Sequence, residues 1–149
     1  MQLMLRLPQR TEEVLIAVCG GGEKGSDVAR KLGVSKQAIS KFVREGRARL
    51  TEIFVEVAEV LQADLIRINP TRGYAVMKIR QLGLKAYAIY VPGVGPRVLF
   101  EDSPRCSGEA RKTCREIIRA AKAWGLLERC EGMGSEEEVV ECLLRLLES

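Results

Sequence analysis

The segment between residues 25 and 44 constrains the fold of this chain more than any other feature. Two helical patterns meet there at Gly33, where the absence of a Cβ lets the chain reverse direction. Ala29 is small at the point where the two helices would cross, and Ser35 can cap the helix that follows. The residues expected in the shared core are Val28, Leu32, Val34, Ile39 and Phe42. The segment therefore predicts two helices joined by a tight turn, a helix-turn-helix.

The other side of the second helix of this motif is polar and cationic. It carries Ser35, Lys36, Gln37, Ser40, Lys41 and Arg44. An α-helix fits the major groove of B-DNA, where Gln bonds adenine, Arg and Lys bond guanine, and Ser bonds bases or phosphates. We expect residues 35–49 to form a recognition helix. Backbone phosphates are assigned to Arg47, Arg49, Thr11 and Lys24. An ordinary solvated helix face is the alternative interpretation.

Residues 7–52 also resemble a known group of DNA-binding motifs. The shared features are the Leu7-Pro8 opening, the turn between Val28 and Ser35, and the Arg-rich exit at residues 44–50. These features resemble the helix-turn-helix of sigma-factor region 4, of LuxR-type regulators and of archaeal Tfx-type regulators. The resemblance implies a sequence-specific transcriptional regulator that binds double-stranded DNA. A true sigma factor is not expected, because nothing else in the chain looks like its other regions.

Helical patterns also flank the motif. Thr11 is expected to cap a preceding helix that the run Gly20-Gly21-Gly22 ends. No proline interrupts residues 35–63, so the third helix can continue into a broad apolar stripe at residues 51–61. Gly46 weakens the middle of this helix and can mark a bend or a break.

The pattern after residue 63 changes to short β-like runs. Residues 65–68 are expected to form a strand, and Asn69-Pro70 to start a helix that Gly83 ends. Two further strands follow, at residues 84–91 and 97–100. The predicted order is strand, helix, strand, strand, with two neighbouring parallel strands that need a covering layer.

Two amphipathic helices are predicted near the end of the chain. The first ends at Gly125, and the second is capped by Ser135. Basic residues mark the outer face of the first, namely Arg111, Lys112, Arg115, Arg119 and Lys122. These residues provide a second DNA contact or form surface pairs four residues apart. Trp124 is expected in the core.

The predicted fold class is therefore α+β, with a three-helix DNA-binding domain in residues 1–50. Residues 51–62 are expected to be a connecting and dimerisation helix. An α/β dimerisation or effector domain is expected in residues 63–149. A homodimer is predicted, because one helix in one groove seldom gives adequate specificity.

Composition argues against an enzyme. The chain contains no histidine, which removes imidazole acid–base chemistry and His-ligated metal sites. Its five cysteines form no C-x-x-C pair, so zinc-ribbon spacing is missing as well. Thiol chemistry at Cys106 or Cys114 would have no obvious base. We expect no catalytic residue, no metal site and no cofactor.

The cysteines have two interpretations. They are buried small apolar residues, or disulfides form among Cys106, Cys114, Cys130 and Cys142. A single Asn beside abundant Glu, Arg and Val suggests a heat-adapted source, in which intracellular disulfides occur. No apolar run approaches the length of a membrane-spanning helix, and we expect a cytoplasmic protein without a membrane partner.

Charge varies along the chain. Residues 1–50 carry ten basic and five acidic groups, whereas residues 101–149 carry eight basic and eleven acidic groups. A basic segment suggests a polyanionic partner. An alternative function is a protein-interaction adaptor that docks on the transcription machinery through the same basic surface.

Asn69–Arg72 is a candidate site for a small-molecule effector. If Asn69-Pro70 starts a helix, free backbone N–H groups and the Arg72 guanidinium would face an anion there. The alternative is a capped helix without a ligand.

Overall fold

The computed structural model describes residues 5–102 and 106–149. Its helices are α1 (Gln9–Leu15), α2 (Gly25–Leu32), α3 (Lys36–Leu61), α4 (Ala110–Ala123) and α5 (Glu136–Glu148). Its strands are β1 (Ala63–Asn69), β2 (Tyr74–Ile79), β3 (Leu84–Val91) and β4 (Gly95–Phe100). The fold is of the α+β class, as predicted.

Helix α3 continues through Gly46 and through the predicted domain boundary at residue 50. Gly46 is buried because α1 packs directly against it. A Cβ added there would lie 3.0 Å from Thr11 Cγ2 and 3.3 Å from Leu15 Cδ2. The glycine therefore permits the close approach of two helices and does not break α3. The predicted continuation of the third helix is confirmed.

Helix α1 begins earlier than predicted. Its N-cap is Pro8, and Thr11 lies inside the helix with a buried side chain, so the prediction that Thr11 caps the helix is wrong. Helix α1 passes directly into a π-helical turn, Ile16–Gly20. The helical segment thus ends within the predicted run Gly20-Gly21-Gly22, although its last five residues are π-helical.

The four strands form one antiparallel sheet in the order β1-β2-β3-β4. The predicted helix between Asn69 and Gly83 is wrong, and so is the expected parallel pair of strands. The Asn69 side-chain oxygen accepts the backbone N–H of Arg72 at 3.1 Å, which makes Asn69-Pro70 the start of a tight turn. The chain then enters β2 at Tyr74, and Gly83 belongs to the following turn.

Burial of β2 on both faces explains this difference. Four successive residues, Tyr74, Ala75, Val76 and Met77, are all buried. The strand therefore lacks the alternation of apolar and polar residues that marks a half-exposed strand. A short continuous apolar run fits a buried strand and a buried helix equally well.

Helices cover both faces of the sheet. Tyr87 and Tyr90 of β3 are three residues apart, so their side chains point to opposite faces. The Tyr87 hydroxyl donates to Glu148 of α5 at 2.9 Å, and the Tyr90 hydroxyl donates to Glu12 of α1 at 2.6 Å. Helices α1 and α3 pack together on the Tyr90 side, and α4 and α5 pack together on the Tyr87 side. The result is a three-layer arrangement in which α1 and α3 cover one face of the sheet and α4 and α5 cover the other.

Trp124 lies at the centre of a junction between three segments. It is fully buried, as predicted, and its indole N–H donates to the Tyr90 carbonyl at 2.8 Å. Gly73, with φ of +68°, contacts the indole so closely that an added Cβ would lie 2.1 Å from Trp124 Cε2. The Arg72 guanidinium donates to the carbonyls of Trp124 at 3.0 Å and Cys19 at 3.4 Å. The end of α4, the β1–β2 turn and the π-helical turn are thereby tied together.

The two helices near the end of the chain form as predicted. Gly125 follows α4, and the Ser135 hydroxyl caps α5 by accepting the Glu138 N–H at 3.2 Å. Two disulfides, Cys106–Cys114 and Cys130–Cys142, stabilise this region. Cys19 is a free thiol. Of the two interpretations of the cysteines, the structure thus agrees with the one in which disulfides form.

Gly73→Ala is expected to destabilise the protein more than Gly83→Ala. Both residues have a left-handed φ, +68° and +62°, so both variants carry backbone strain of about 1–2 kcal/mol. The space around Gly83 is open. At Gly73 the new methyl group must displace Trp124, which costs about 1–3 kcal/mol more. Urea unfolding measures both losses, and equal values would contradict the contact between Gly73 and Trp124.

The disulfide pattern predicts one reactive thiol in the unreduced, unfolded chain and five after reduction. Thiol titration in denaturant counts them directly. Removing the Cys130–Cys142 bridge with two Cys→Ser substitutions should cost about 3 kcal/mol, because the bridge closes a loop across 12 residues. Cys19→Ser is the control and should cost less. More than one thiol before reduction would overturn the pairing.

Candidate nucleic-acid interface

Residues 25–44 form two helices joined by a tight turn at Gly33. Helix α2 is followed by its C-cap residue Gly33, whose φ is +67°, and the Val34 N–H donates to the Ala29 carbonyl at 3.0 Å. Ser35 then caps α3 by accepting the Ala38 N–H at 3.0 Å. The turn between the two helices therefore has the residues and the hydrogen bonds that its sequence predicts.

The apolar side of the motif is buried in a small core of its own. Val14, Val28, Ala29 and Ile39 are between 0% and 4% exposed. Leu32, Val34 and Phe42 pack against them. The opposite side of this part of α3 faces solvent.

That solvent side carries seven of the eight predicted site residues. Ser35, Lys36, Gln37, Ser40, Lys41, Arg44 and Arg47 are all exposed. Lys41 Nζ lies 3.9 Å from Glu45 Oε1, and within the described residues Arg44 and Arg47 make no ion pair. We call these seven residues the α3 polar face. It carries four cationic groups beside one carboxylate.

Arg49 does not belong to the α3 polar face. Its guanidinium lies 3.0 Å from Glu52 and 3.5 Å from Glu56, and its side chain is 31% exposed. Five residues separate Arg49 from Arg44, which rotates it well away from Arg44 around the helix. The predicted phosphate contact of Arg49 would have to compete with these two carboxylates.

The other two predicted phosphate contacts lie in different surroundings. Thr11 is buried between α1 and α3, where its methyl group contacts Gly46, so it is not available to a phosphate. Its short side chain instead allows the two helices to approach. Lys24 is exposed and immediately precedes α2.

A groove of about 560 Å³ lies beside the α3 polar face. Helix α3 contributes Ser40, Arg44, Arg47 and Thr51, while Val18 comes from the π-helical turn and Pro70 from the β1–β2 turn. The sequence did not indicate this groove, since Pro70 was expected in a helix and no local pattern connects it with α3.

A buried polar cluster fixes α1 to the sheet. The Tyr90 hydroxyl donates to Glu12 and accepts the Leu7 N–H at 2.8 Å, while Glu12 also accepts the Gly93 N–H at 2.9 Å. Burial, with the Glu12 carboxylate as the next cause, raises the pKa of Tyr90 well above its usual value. The Tyr90 hydroxyl therefore keeps its proton and donates it in the hydrogen bond to Glu12.

The basis for an effector site at Asn69–Arg72 is not present. No helix starts there, so the set of helix N-terminal N–H groups that the prediction required does not form, and the Arg72 N–H bonds the Asn69 side chain. The Arg72 guanidinium bonds the carbonyls of Cys19 and Trp124 instead. Arg72 thus stabilises the junction between the segments.

The basic face of α4 is partly paired across to α5. Arg111 and Arg115 lie 3.5 Å and 3.3 Å from the carboxylate of Glu136. Glu116 pairs with Arg97 of β4 at 3.3 Å. These bridges connect α4 with neighbouring elements rather than pairing residues four apart within it.

No protein-family model, curated protein or solved structure matches this chain. Across residues 5–102 and 106–149 there is no cluster of three acidic, Cys or His side chains able to hold a metal ion. None of the helices in this part of the chain has both the length and the apolar character required to cross a bilayer.

Tyr90→Phe should lower the free energy of unfolding by about 1–3 kcal/mol, because it removes the hydrogen-bond partner of Glu12 Oε2 and of the Leu7 N–H. Tyr74→Phe is the matched control. Tyr74 is also buried, but its hydroxyl makes no hydrogen bond to the residues described. Chemical denaturation compares both variants, and similar losses would contradict the role of the Tyr90 cluster.

Proposed function

We propose that this protein binds double-stranded DNA sequence-specifically and regulates transcription. The observation that supports this proposal is the exposure of the α3 polar face on a helix whose apolar side is buried in a helix-turn-helix core. Helices presented in this way enter the major groove. Exposed amide, hydroxyl and cationic groups at one helix face are the groups that bond base edges and phosphates.

Accessibility of α3 also supports the proposal. The large core takes Leu50, Ile53 and Phe54 from the second half of α3, whereas the first half contributes Ile39 to the small core. Residues 36–48 extend about 20 Å along the helix axis. Because this length exceeds the width of the major groove, the exposed part of the helix is long enough to span the groove. We assign the base edges and flanking phosphates to Lys36, Gln37, Ser40, Lys41 and Arg44. We assign Arg47 to the backbone.

A homodimer remains part of the proposal, but the predicted interface must change. The apolar stripe at residues 51–61 is largely buried within the chain, since Ile53, Phe54, Val57 and Ala58 face its own large core. Among the described residues, the large apolar side chains with the highest exposure are Val60 and Leu82, at 71% each, and Ile66, at 56%. The outer edge of β1, which carries Ile66, pairs with no other strand in the described residues. A second copy would use this side of the molecule.

The proposed regulator has no enzymatic activity and works where the chromosome is accessible, which in a cell without a nucleus is the cytoplasm. Two disulfides in such a compartment are consistent with a heat-adapted source.

Arg44→Ala and Arg47→Ala should weaken duplex binding in different ways. Loss of a base contact at Arg44 should cost about 1–3 kcal/mol and relax specificity at one position. Loss of a phosphate contact at Arg47 should weaken all sequences alike and reduce the salt slope by about 0.9. Binding sites selected from a random duplex pool are titrated at several salt concentrations. Lys78→Ala, an exposed charge on β2, is the control.

Several outcomes of this experiment would contradict the proposal. Binding to no duplex would do so, as would binding that is insensitive to salt. Capture of a protein partner that survives nuclease treatment would favour the adaptor. Selected sites should form inverted repeats if the protein is a homodimer, and sedimentation at micromolar concentration should give twice the monomer mass.

A further inference from the structure

The groove beside the α3 polar face has the dimensions of a small-molecule site. Its volume of about 560 Å³ lies within the range of about 300–1,000 Å³ that is usual for ligand pockets. Four segments that are distant in sequence line it, namely the π-helical turn, α2, α3 and the β1–β2 turn. Pro70 thus adds a wall from outside the helix-turn-helix.

The lining of the groove is amphipathic. Its apolar part includes Val18, Val43 and Pro70, while its charged part consists of Arg44 and Arg47. No acidic side chain lines it. Neither arginine pairs with a carboxylate in residues 5–102 or 106–149. The Thr51 hydroxyl donates to the Arg47 carbonyl at 3.0 Å, which leaves the two guanidinium groups and the Ser40 hydroxyl as the side-chain donors of the lining.

We propose that this groove binds a small organic anion with an apolar body. A carboxylate, sulfonate or phosphate group accepts charge-assisted hydrogen bonds from Arg44 and Arg47, since guanidinium groups match these oxyanions in geometry and charge. The apolar body packs on Val18, Val43 and Pro70. A bare phosphodiester backbone supplies the anion but not the apolar body, so the lining favours an amphipathic ligand over DNA phosphate.

Such a ligand would regulate the binding of DNA. This step of the inference rests on the proposed function. Arg44 and Arg47 line the groove and also belong to the α3 polar face. An anion bound to both arginines would withdraw them from DNA, so ligand and duplex compete. Binding of the anion itself requires no DNA.

The test uses naphthalenesulfonate as the anionic probe, with the full chain in solution. Amide resonances are followed by NMR during titration, and shifts are expected at residues 43–51 and in the β1–β2 turn. Naphthalenemethanol, which is neutral and of similar shape, and inorganic phosphate, which lacks the apolar body, are the comparison ligands. Both should bind at least about tenfold more weakly, as expected when a charge-assisted pair or a buried ring is lost.

Two variants separate charge from shape. Arg44→Gln with Arg47→Gln removes both charges, and Ala48→Phe fills the groove while retaining both arginines; Ala48 is exposed on α3 and lines the groove. Each should raise the Kd for naphthalenesulfonate at least about tenfold. Lys78→Gln, away from the groove, should leave it unchanged. Unfolding curves verify that each variant is folded.

The outcomes are distinguishable. Equal binding of the neutral ring overturns the role of the arginines, equal binding of inorganic phosphate overturns the amphipathic ligand, and shifts outside the groove overturn the site. If the probe binds but no duplex is ever bound, the ligand site stands and the proposed function falls. If the protein binds a duplex tightly and the probe does not displace that duplex, the proposed competition between ligand and DNA is overturned.

Discussion

Helix α3 is the constraint on which the rest of this structure depends. It has 26 residues and is about 39 Å long, and it belongs to both hydrophobic cores. Ile39 completes the small core of the helix-turn-helix, while Leu50, Ile53 and Phe54 enter the large core against the sheet. Because one helix serves both cores, no linker separates the motif from the body. The orientation of the α3 polar face is therefore fixed by the packing of the sheet.

Two polar attachments reinforce this arrangement. Glu12 and Tyr90 join α1 to β3 through a buried hydrogen bond of 2.6 Å. Arg72 joins the β1–β2 turn to the π-helical turn and to the end of α4. A buried carboxylate is unfavourable unless its oxygens are paired, so the Glu12 cluster can form only when α1 lies correctly on the sheet. These contacts make the position of the motif specific as well as stable.

The features that the sequence predicted are local. Gly33, Ser35 and Ser135 act within a few residues of their own position, and the 3.6-residue period identified the buried sides of α3 and α4. The two-sided burial of β2 depends on helices from distant parts of the chain, so the segment after Asn69 was predicted as a helix. The pattern of residues on α3 also could not show that Arg49 meets Glu52 and Glu56, because the choice among surface partners depends on side-chain conformation.

The sequence also did not show which residues, distant along the chain, lie close together in the fold. Spacing alone left the cysteine pairing open, and Pro70 gave no sign that it would line a groove beside Arg44. The exposure of the α3 polar face, by contrast, follows directly from the apolar side that packs inward. The candidate interface was thus more predictable than the domain that supports it.

The contact between Gly73 and Trp124 has a consequence for how this chain can diverge. The indole fills the volume that any other side chain at residue 73 would need. A relative that replaces Trp124 with a small residue gains room there, and only then can it accept a larger neighbour in the turn. Residues 73 and 124, which are far apart along the chain, should therefore vary together among descendants of a common ancestor.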